Sequence, residues 1–298
     1  MEPKKGISFF KKSRVFVKSI WNNLFILTFL IGFLISSLIF IHMESTYESD
    51  LFQNVVQKIY HEGNGKMSAD SFLVHAVHMT KRLMIDREII FKNAEFNDIK
   101  GGFLKPATVD LATAYGSCGS YSNVLARILV RDGKEVRFAQ MKVNGVYGGH
   151  ILIEAKGDNG WVVLDPIYDL YFVSPDKHLA SFEEVASNWN FYQNQVPADY
   201  NLNYNYSGVR YTNWNKIPIA LPLVKKIISL FVGPKNADQI SLRSYFLKTY
   251  ETIFQVGLIF LILISAHTFE VFRRQRRFNL SAINRDSDIS LLDQRIPA

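Results

Sequence analysis

The sequence predicts an α+β domain carried between two membrane-spanning helices, and three observations predict it. Two long apolar runs stand near the ends of the 298-residue chain, a stretch of helical periodicity closes on Asp132-Gly133, and two β-rich runs joined by a Gly/Asp/Asn loop follow it. At 48% hydrophobic and 20% charged, with one Cys, the chain has apolar surface enough for a core and no material for a disulfide scaffold. The formal net charge of +7 sits at the ends. Residues 1–19 carry six Lys/Arg against one Glu, residues 43–251 carry 22 of each sign, and residues 270–298 carry six against four. Binding to a phosphate backbone needs clustered cations, so the balanced centre predicts no nucleic-acid partner.

From Leu24 to Ile41 the only polar residues are Thr28, Ser36 and Ser37, and no charged residue falls between Lys18 and Glu44. About 20 residues of helix cross a bilayer core, so a transmembrane helix is expected over 20–42. A cleaved signal peptide has a shorter apolar region ending at small residues, whereas this run exits into Ile41-His42-Met43-Glu44; an uncleaved anchor is expected. The second run, Thr252 to Phe269, is interrupted by Gln255 and His267, and its pattern alone leaves a buried core helix open. Its flank of Arg273, Arg274, Arg276 and Arg277 is that of a stop at a cytoplasmic face, so 252–269 is expected as a second span. Lys4, Lys5, Lys11, Lys12, Arg14 and Lys18 hold the other end on the same side. The tails 1–19 and 270–298 are therefore expected in the cytoplasm, and the centre outside it.

Within the centre, Ser49–Ile59 and Ser68–Phe91 read as helices, and Gly101-Gly102 and Pro106 break the pattern. Tyr121, Val124, Leu125, Ile128 and Leu129 recur at helical spacing and predict a helix to about Arg131. With Ser117 as N-cap, Cys118 falls in its first turn, where unsatisfied N–H groups and the helix dipole favour a thiolate. A buried structural Cys is the alternative. Gly149–Ala155 and Trp161–Asp165 flank Lys156–Gly160 as a β-hairpin. A two-residue loop at Gly157-Asp158 would set His150 directly opposite Asp165, with Cβ atoms about 4.5–5.5 Å apart. A carboxylate beside an imidazole fixes its tautomer and stabilises imidazolium, as a base activating a thiol requires. The alternative is an ordinary cross-strand polar pair, and a one-residue slip would separate the two.

Trp161 is expected to pack the hairpin. His75 and His78 share a helix face without a third metal ligand. A helix is expected around Phe182–Trp189. The stretch from Trp189 to Trp214 interleaves eight aromatics with Asn, as an interfacial belt or as plain packing. Leu221–Val232, with Lys225-Lys226, reads as an amphipathic helix lying on a membrane surface.

Gly116-Ser117-Cys118, an apolar helix, Gly133-Lys134-Glu135-Val136-Arg137, His150 with Glu154, and Gly160-Trp161-Val162-Val163-Leu164-Asp165-Pro166 stand in this order. Together they resemble the transglutaminase-like superfamily of papain-type folds over about residues 68–175. The resemblance implies a nucleophile helix packed on an antiparallel sheet, with Cys118 as nucleophile, His150 as general base and Asp165 as orienting carboxylate. It implies a hydrolase or acyltransferase working through a Cys thioester, with no metal or diffusible cofactor. The implied substrate is a protein, peptide or cell-surface polymer outside the membrane. Ile151 and Leu152 follow the His where Ala and Trp are common, and Ser122 stands where a small apolar residue is usual. Beside the Cys118 backbone N–H, Tyr115 is a candidate second oxyanion donor. The expected organisation is a domain over 43–200 and a membrane-proximal segment over 201–251, in contact with the lipid bilayer. A catalytically inactive binding or assembly module of the same fold is the alternative function.

Overall fold

The structure, a computed structural model, describes residues 21–91 and 105–293. The basic tail 1–19 and the Gly101-Gly102 break lie outside the described residues. The chain divides into two units, residues 45–249 and the flanking 1–44 with 250–298.

The larger unit is α+β. Its helices are the end of α1 (Leu24–Glu62), then α2 (Ala69–Phe91), α3 (Ala107–Thr113) and α4 (Cys118–Arg131). Strands β1 (Val136–Val143), β2 (Val146–Lys156), β3 (Trp161–Asp165) and β4 (Leu170–Tyr171) follow, then α5 (Phe182–Ser187), α6 (Trp189–Tyr192) and β5 (Val209–Arg210). The five strands form one antiparallel sheet in the order β4-β3-β2-β1-β5. The chain returns through α7 (Ala220–Val232), α8 (Pro234–Asp238) and α9 (Leu242–Tyr245) to α10 (Thr249–Asp293).

Strand alternation divides the core in two. Phe138, Ile153, Ala155, Val162 and Leu164 point to one face and pack against Tyr121, Val124, Leu125, Ile128 and Leu129 of α4 and against α2. Ala139, Met141, Leu152 and Val163 point to the other, which Phe172, Tyr192, Tyr200, Tyr206 and Tyr211 cover. His150 and Asp165 share parity with Leu152 and Val163, so they belong to this aromatic face.

α4 ends as the sequence predicts. Gly133, at φ 82°, lets its N–H reach Val130 O and the Lys134 N–H reach Leu129 O, which satisfies two terminal carbonyls. Its start differs in detail. Ser117 stands at the N-cap with φ 45°, and its side chain makes no capping bond; its carbonyl instead accepts from Ser120 and Tyr121.

The hairpin register also differs. Ile153 pairs with Leu164 and Lys156 with Trp161, so the loop is the four residues 157–160, closed by Gly157 N–H donating to Gly160 O at 2.8 Å. Asp158 spends its carboxylate on the N–H groups of Ala69 and Asp70 at the start of α2, while Asp70 accepts from Asp158 N–H. This tie fixes the wider loop. His150 is therefore not directly opposite Asp165. The shift is two residues, which preserves the face, and the pair lies on the diagonal.

The larger unit begins at Ser45, within two residues of the expected start at 43, and continues past 200. α1 runs unbroken from Leu24 to Glu62 and its later part enters the domain, where buried Glu48 pairs with Arg127 of α4 at 2.9 Å. Residues 201–249 belong to the domain too, because Tyr206, Tyr211, Trp214 and Leu247 are buried in it. The aromatic stretch is thus largely packing. Trp161 packs the hairpin through a cation: the Arg137 guanidinium lies between Trp161 and Tyr211, 4.2 and 4.1 Å from their ring centres, and bonds Glu154.

The helices α1 (Leu24–Glu62), whose first part lies in the smaller unit, and α10 over Thr249–Phe278 are each long and apolar enough to cross a membrane. They run antiparallel, with Trp21 beside His267 and His42 beside Phe254. Gly257 allows the approach, since a Cβ there would stand 2.8 Å from Leu38 Cδ2.

Candidate active site

The loop that presents Cys118 is tightly turned. Ala114, Gly116 and Ser117 all have positive φ, and at Gly116 (φ 127°) an added Cβ would also meet Ser120 Oγ at 2.9 Å. Asp110, buried in α3, holds this loop from below. Its Oδ1 accepts from Lys105 Nζ at 2.6 Å and lies 2.6 Å from Ser120 Oγ, and its Oδ2 accepts from Asn123 Nδ2 at 2.6 Å. The Tyr115 carbonyl receives Lys105 Nζ at 3.1 Å and lies 2.8 Å from Ser120 Oγ, so the backbone of this residue anchors the loop. Cys118 is the first residue of α4 and partly buried.

His150 comes from β2, opposite Met141 and next to a bulge between Met141 and Lys142. Bulges of this kind re-aim the neighbouring side chain. Gly149 before it has no room for a side chain, because a Cβ would lie 2.7 Å from Val143 Cβ. Ser122 donates to the Ile151 carbonyl at 2.8 Å, which ties α4 to the strand carrying His150. A small apolar residue at 122 would leave that carbonyl without this donor.

Of the three residues expected to act together, His150 and Asp165 are joined directly. His150 Nε2 and Asp165 Oδ2 are 2.7 Å apart, and both side chains are 1% exposed. The other ring nitrogen, Nδ1, is buried and forms no completed hydrogen bond, yet Cys118 lies near enough for the imidazole to act on it.

Burial opposes charge on both groups and loses on both. At Cys118 burial pushes the thiol up, but the neighbouring His150 and the Ile151 backbone hold it below the usual thiol value. At His150 burial pushes the imidazole down, but the charge and hydrogen bond of Asp165 outweigh it, with Cys118 adding to them, and raise it to about 9. Both shifts favour a thiolate beside an imidazolium.

Sequence reasoning missed two further groups. Tyr204 stacks on His150 at 4.2 Å between ring centres and 6° between planes, which holds the ring in its plane of action. In sequence the aromatic stretch reads only as an interfacial belt or packing, and no spacing in it marks Tyr204. Arg243, from α9, reaches the Gly119 carbonyl at 3.5 Å and lies 4.3 Å over the Phe138 ring. Burial lowers its pKa, while the charges of Asp110 and Cys118 work the other way, so this guanidinium is a second cation near the thiol. No spacing in the sequence marks it. Behind Asp165, its Oδ1 and the hydroxyls of Tyr200 and Tyr206 are buried without completed bonds. The Asp165 charge acts on both phenols, whose pKa burial first raises.

His75 and His78 have separate partners, the Ser71 carbonyl and Asp169. Among the described residues no group of three His, Cys, Asp or Glu is placed to hold a metal ion.

Compared with family models, with curated proteins and with solved structures, the chain matches none.

Proposed function

We propose that the chain is a membrane-anchored, transglutaminase-like cysteine enzyme that cleaves or transfers an acyl group through a thioester on Cys118. The observation that carries this is the buried His150–Asp165 pair at 2.7 Å, beside a thiol whose pKa His150 holds down. Structural cysteines in apolar surroundings have raised pKa values, and a buried ion pair is costly to keep for stability alone.

In the reaction the Cys118 thiolate attacks the carbonyl carbon of an amide or ester. As the carbon–nitrogen or carbon–oxygen bond breaks, the His150 imidazolium gives its proton to the leaving amine or alcohol. The neutral imidazole then takes a proton from water or an incoming amine, which attacks the thioester and releases the thiolate. Asp165 keeps the Nε2 proton in place and the ring charged when needed. At the first turn of α4 the Cys118 N–H has no intrahelical partner, so it can serve the oxyanion.

The basic flanks of both spans and the antiparallel pairing of α1 with α10 support a two-pass topology, both tails cytoplasmic and the domain outside.

The test is a stopped-flow burst with p-nitrophenyl acetate on the full chain in detergent. The proposal predicts one equivalent of nitrophenolate per chain, a hydroxylamine-sensitive acetyl group on the Cys118 peptide, and neither with Cys118→Ser. Acetylation elsewhere with no burst would overturn it.

A further inference from the structure

An amphipathic helix of a folded domain normally turns its apolar stripe to the core. α7 does the reverse. Its polar side, Lys225, Lys226 and Ser229, faces the domain across a groove of about 530 Å³ that Arg210, Asn213 and Asn215 also line. Its apolar side faces outward: Leu223, Ile227, Leu230 and Phe231 are 56, 48, 78 and 85% exposed, and no residue of the helix is buried. Ile217 and Ile219, just before it, continue the outward surface.

The charge is as uneven as the hydrophobicity. The balanced total of residues 43–251 conceals a stretch, 209–248, with seven Lys/Arg and one acid, Asp238. That acid lies on the groove and pairs with Lys225 at 2.5 Å, and Arg210 donates to Gln140 at 2.8 Å, so both cations are fixed in place around the opening. A cationic groove on the inner side of a helix with an apolar outer side has the chemistry of a bilayer interface: acyl chains below the helix, headgroup phosphates at its flank. Nucleic acid would satisfy the cations and leave the apolar side bare. The helix stands shortly before α10 in the chain, which is long and apolar enough to span a membrane.

We infer that α7 lies in the membrane interface with its outward apolar side among the acyl chains, and that the groove lined by Arg210, Lys225 and Lys226 seats the phosphate of an anionic lipid headgroup.

The full chain, carrying Cys118→Ser so that a single introduced Cys takes a fluorophore, is reconstituted in nanodiscs of phosphatidylcholine with or without phosphatidylglycerol. Leu230→Cys reports the helix, and Leu202→Cys, on an exposed loop of the same domain, is the control. The label at 230 is expected to be quenched by acyl-chain nitroxide and shielded from iodide, with the label at 202 the opposite. Phosphatidylglycerol should increase the inserted fraction. Lys225→Gln and Lys226→Gln should each reduce that gain by about fivefold, whereas Lys226→Arg should retain it. Iodide access at 230 equal to that at 202 would overturn the inference. So would insertion indifferent to phosphatidylglycerol, or self-quenching of the 230 label only in discs holding two copies, which would make this face a contact between chains.

Discussion

Asp165→Asn separates the two jobs of the carboxylate. His150 stands at about 9 rather than 6.5 although burial alone would lower it, and the largest raising contributions come from Asp165. With the ordinary value restored, the imidazole at pH 7.5 goes from about 97% to about 9% protonated, roughly a tenfold loss of the cation that supports the thiolate. Asp165 also repels the thiolate directly, but that is the smallest influence on Cys118, so the loss wins. An amide that donates to Nε2 further forces the proton onto Nδ1 and takes from the ring its remaining acceptor. Iodoacetamide labelling of Cys118 at pH 7.5 should therefore fall by about tenfold, and acyl turnover by about 10³–10⁴, as loss of such a carboxylate costs in triad enzymes. The melting temperature should change little, because the proton can return from imidazolium to sulfur and leave no lone charge buried. Unchanged labelling together with unchanged turnover would refute the reasoning and make Asp165 a strand-end residue.

His150→Ala should behave differently: it strands the Asp165 carboxylate at 1% exposure, and chemical denaturation should show a loss of about 3–5 kcal/mol. Asp110→Ala leaves half-buried Lys105 and the Ser120 and Asn123 side chains without this acceptor, with a similar expected loss in denaturant titration and slower thiol labelling. Arg243→Gln removes the second cation and should raise the pH at which Cys118 ionises, read from thiolate absorbance at 240 nm. The site also sets a pH profile of stability. The raised His150 favours the fold below 6.5 and loses that contribution as pH rises to about 9, while the lowered Cys118 contributes above 9.0 and loses it as pH falls. From the higher of 6.5 and the lowered thiol value up to about 9 the two cancel, so Cys118→Ala should turn a flat contribution into a falling one, measured by urea unfolding across that range.

Much of this was legible in the chain because periodicity and end signals are local. Asp132-Gly133 marked the end of α4, two β-rich runs around a Gly/Asp/Asn loop marked β2 and β3, and the long uncharged run at Leu24–Ile41 marked the first apolar helix. His150 and Asp165 kept a common face because the register error was even; an odd one would have parted them. The error itself came from a contact distant in sequence, the tie between Asp158 and the start of α2. The same limit hid Asp110, Arg243 and Tyr204, whose roles depend on where α3, α9 and the aromatic loop pack. Residues 201–249 looked like an appendage because their apolar residues show no clean period, yet Tyr206 and Tyr211 complete one face of the sheet.

The rate of Cys118 alkylation as a function of pH, measured on the full chain and on His150→Gln, tests the thiolate–imidazolium pair most directly. Wild type should reach a plateau below the ordinary thiol value of 9.0 and show a second step near 9, where the imidazolium loses its proton, and His150→Gln should abolish both features. A single titration at or above 9.0, the same in both proteins, would contradict the account.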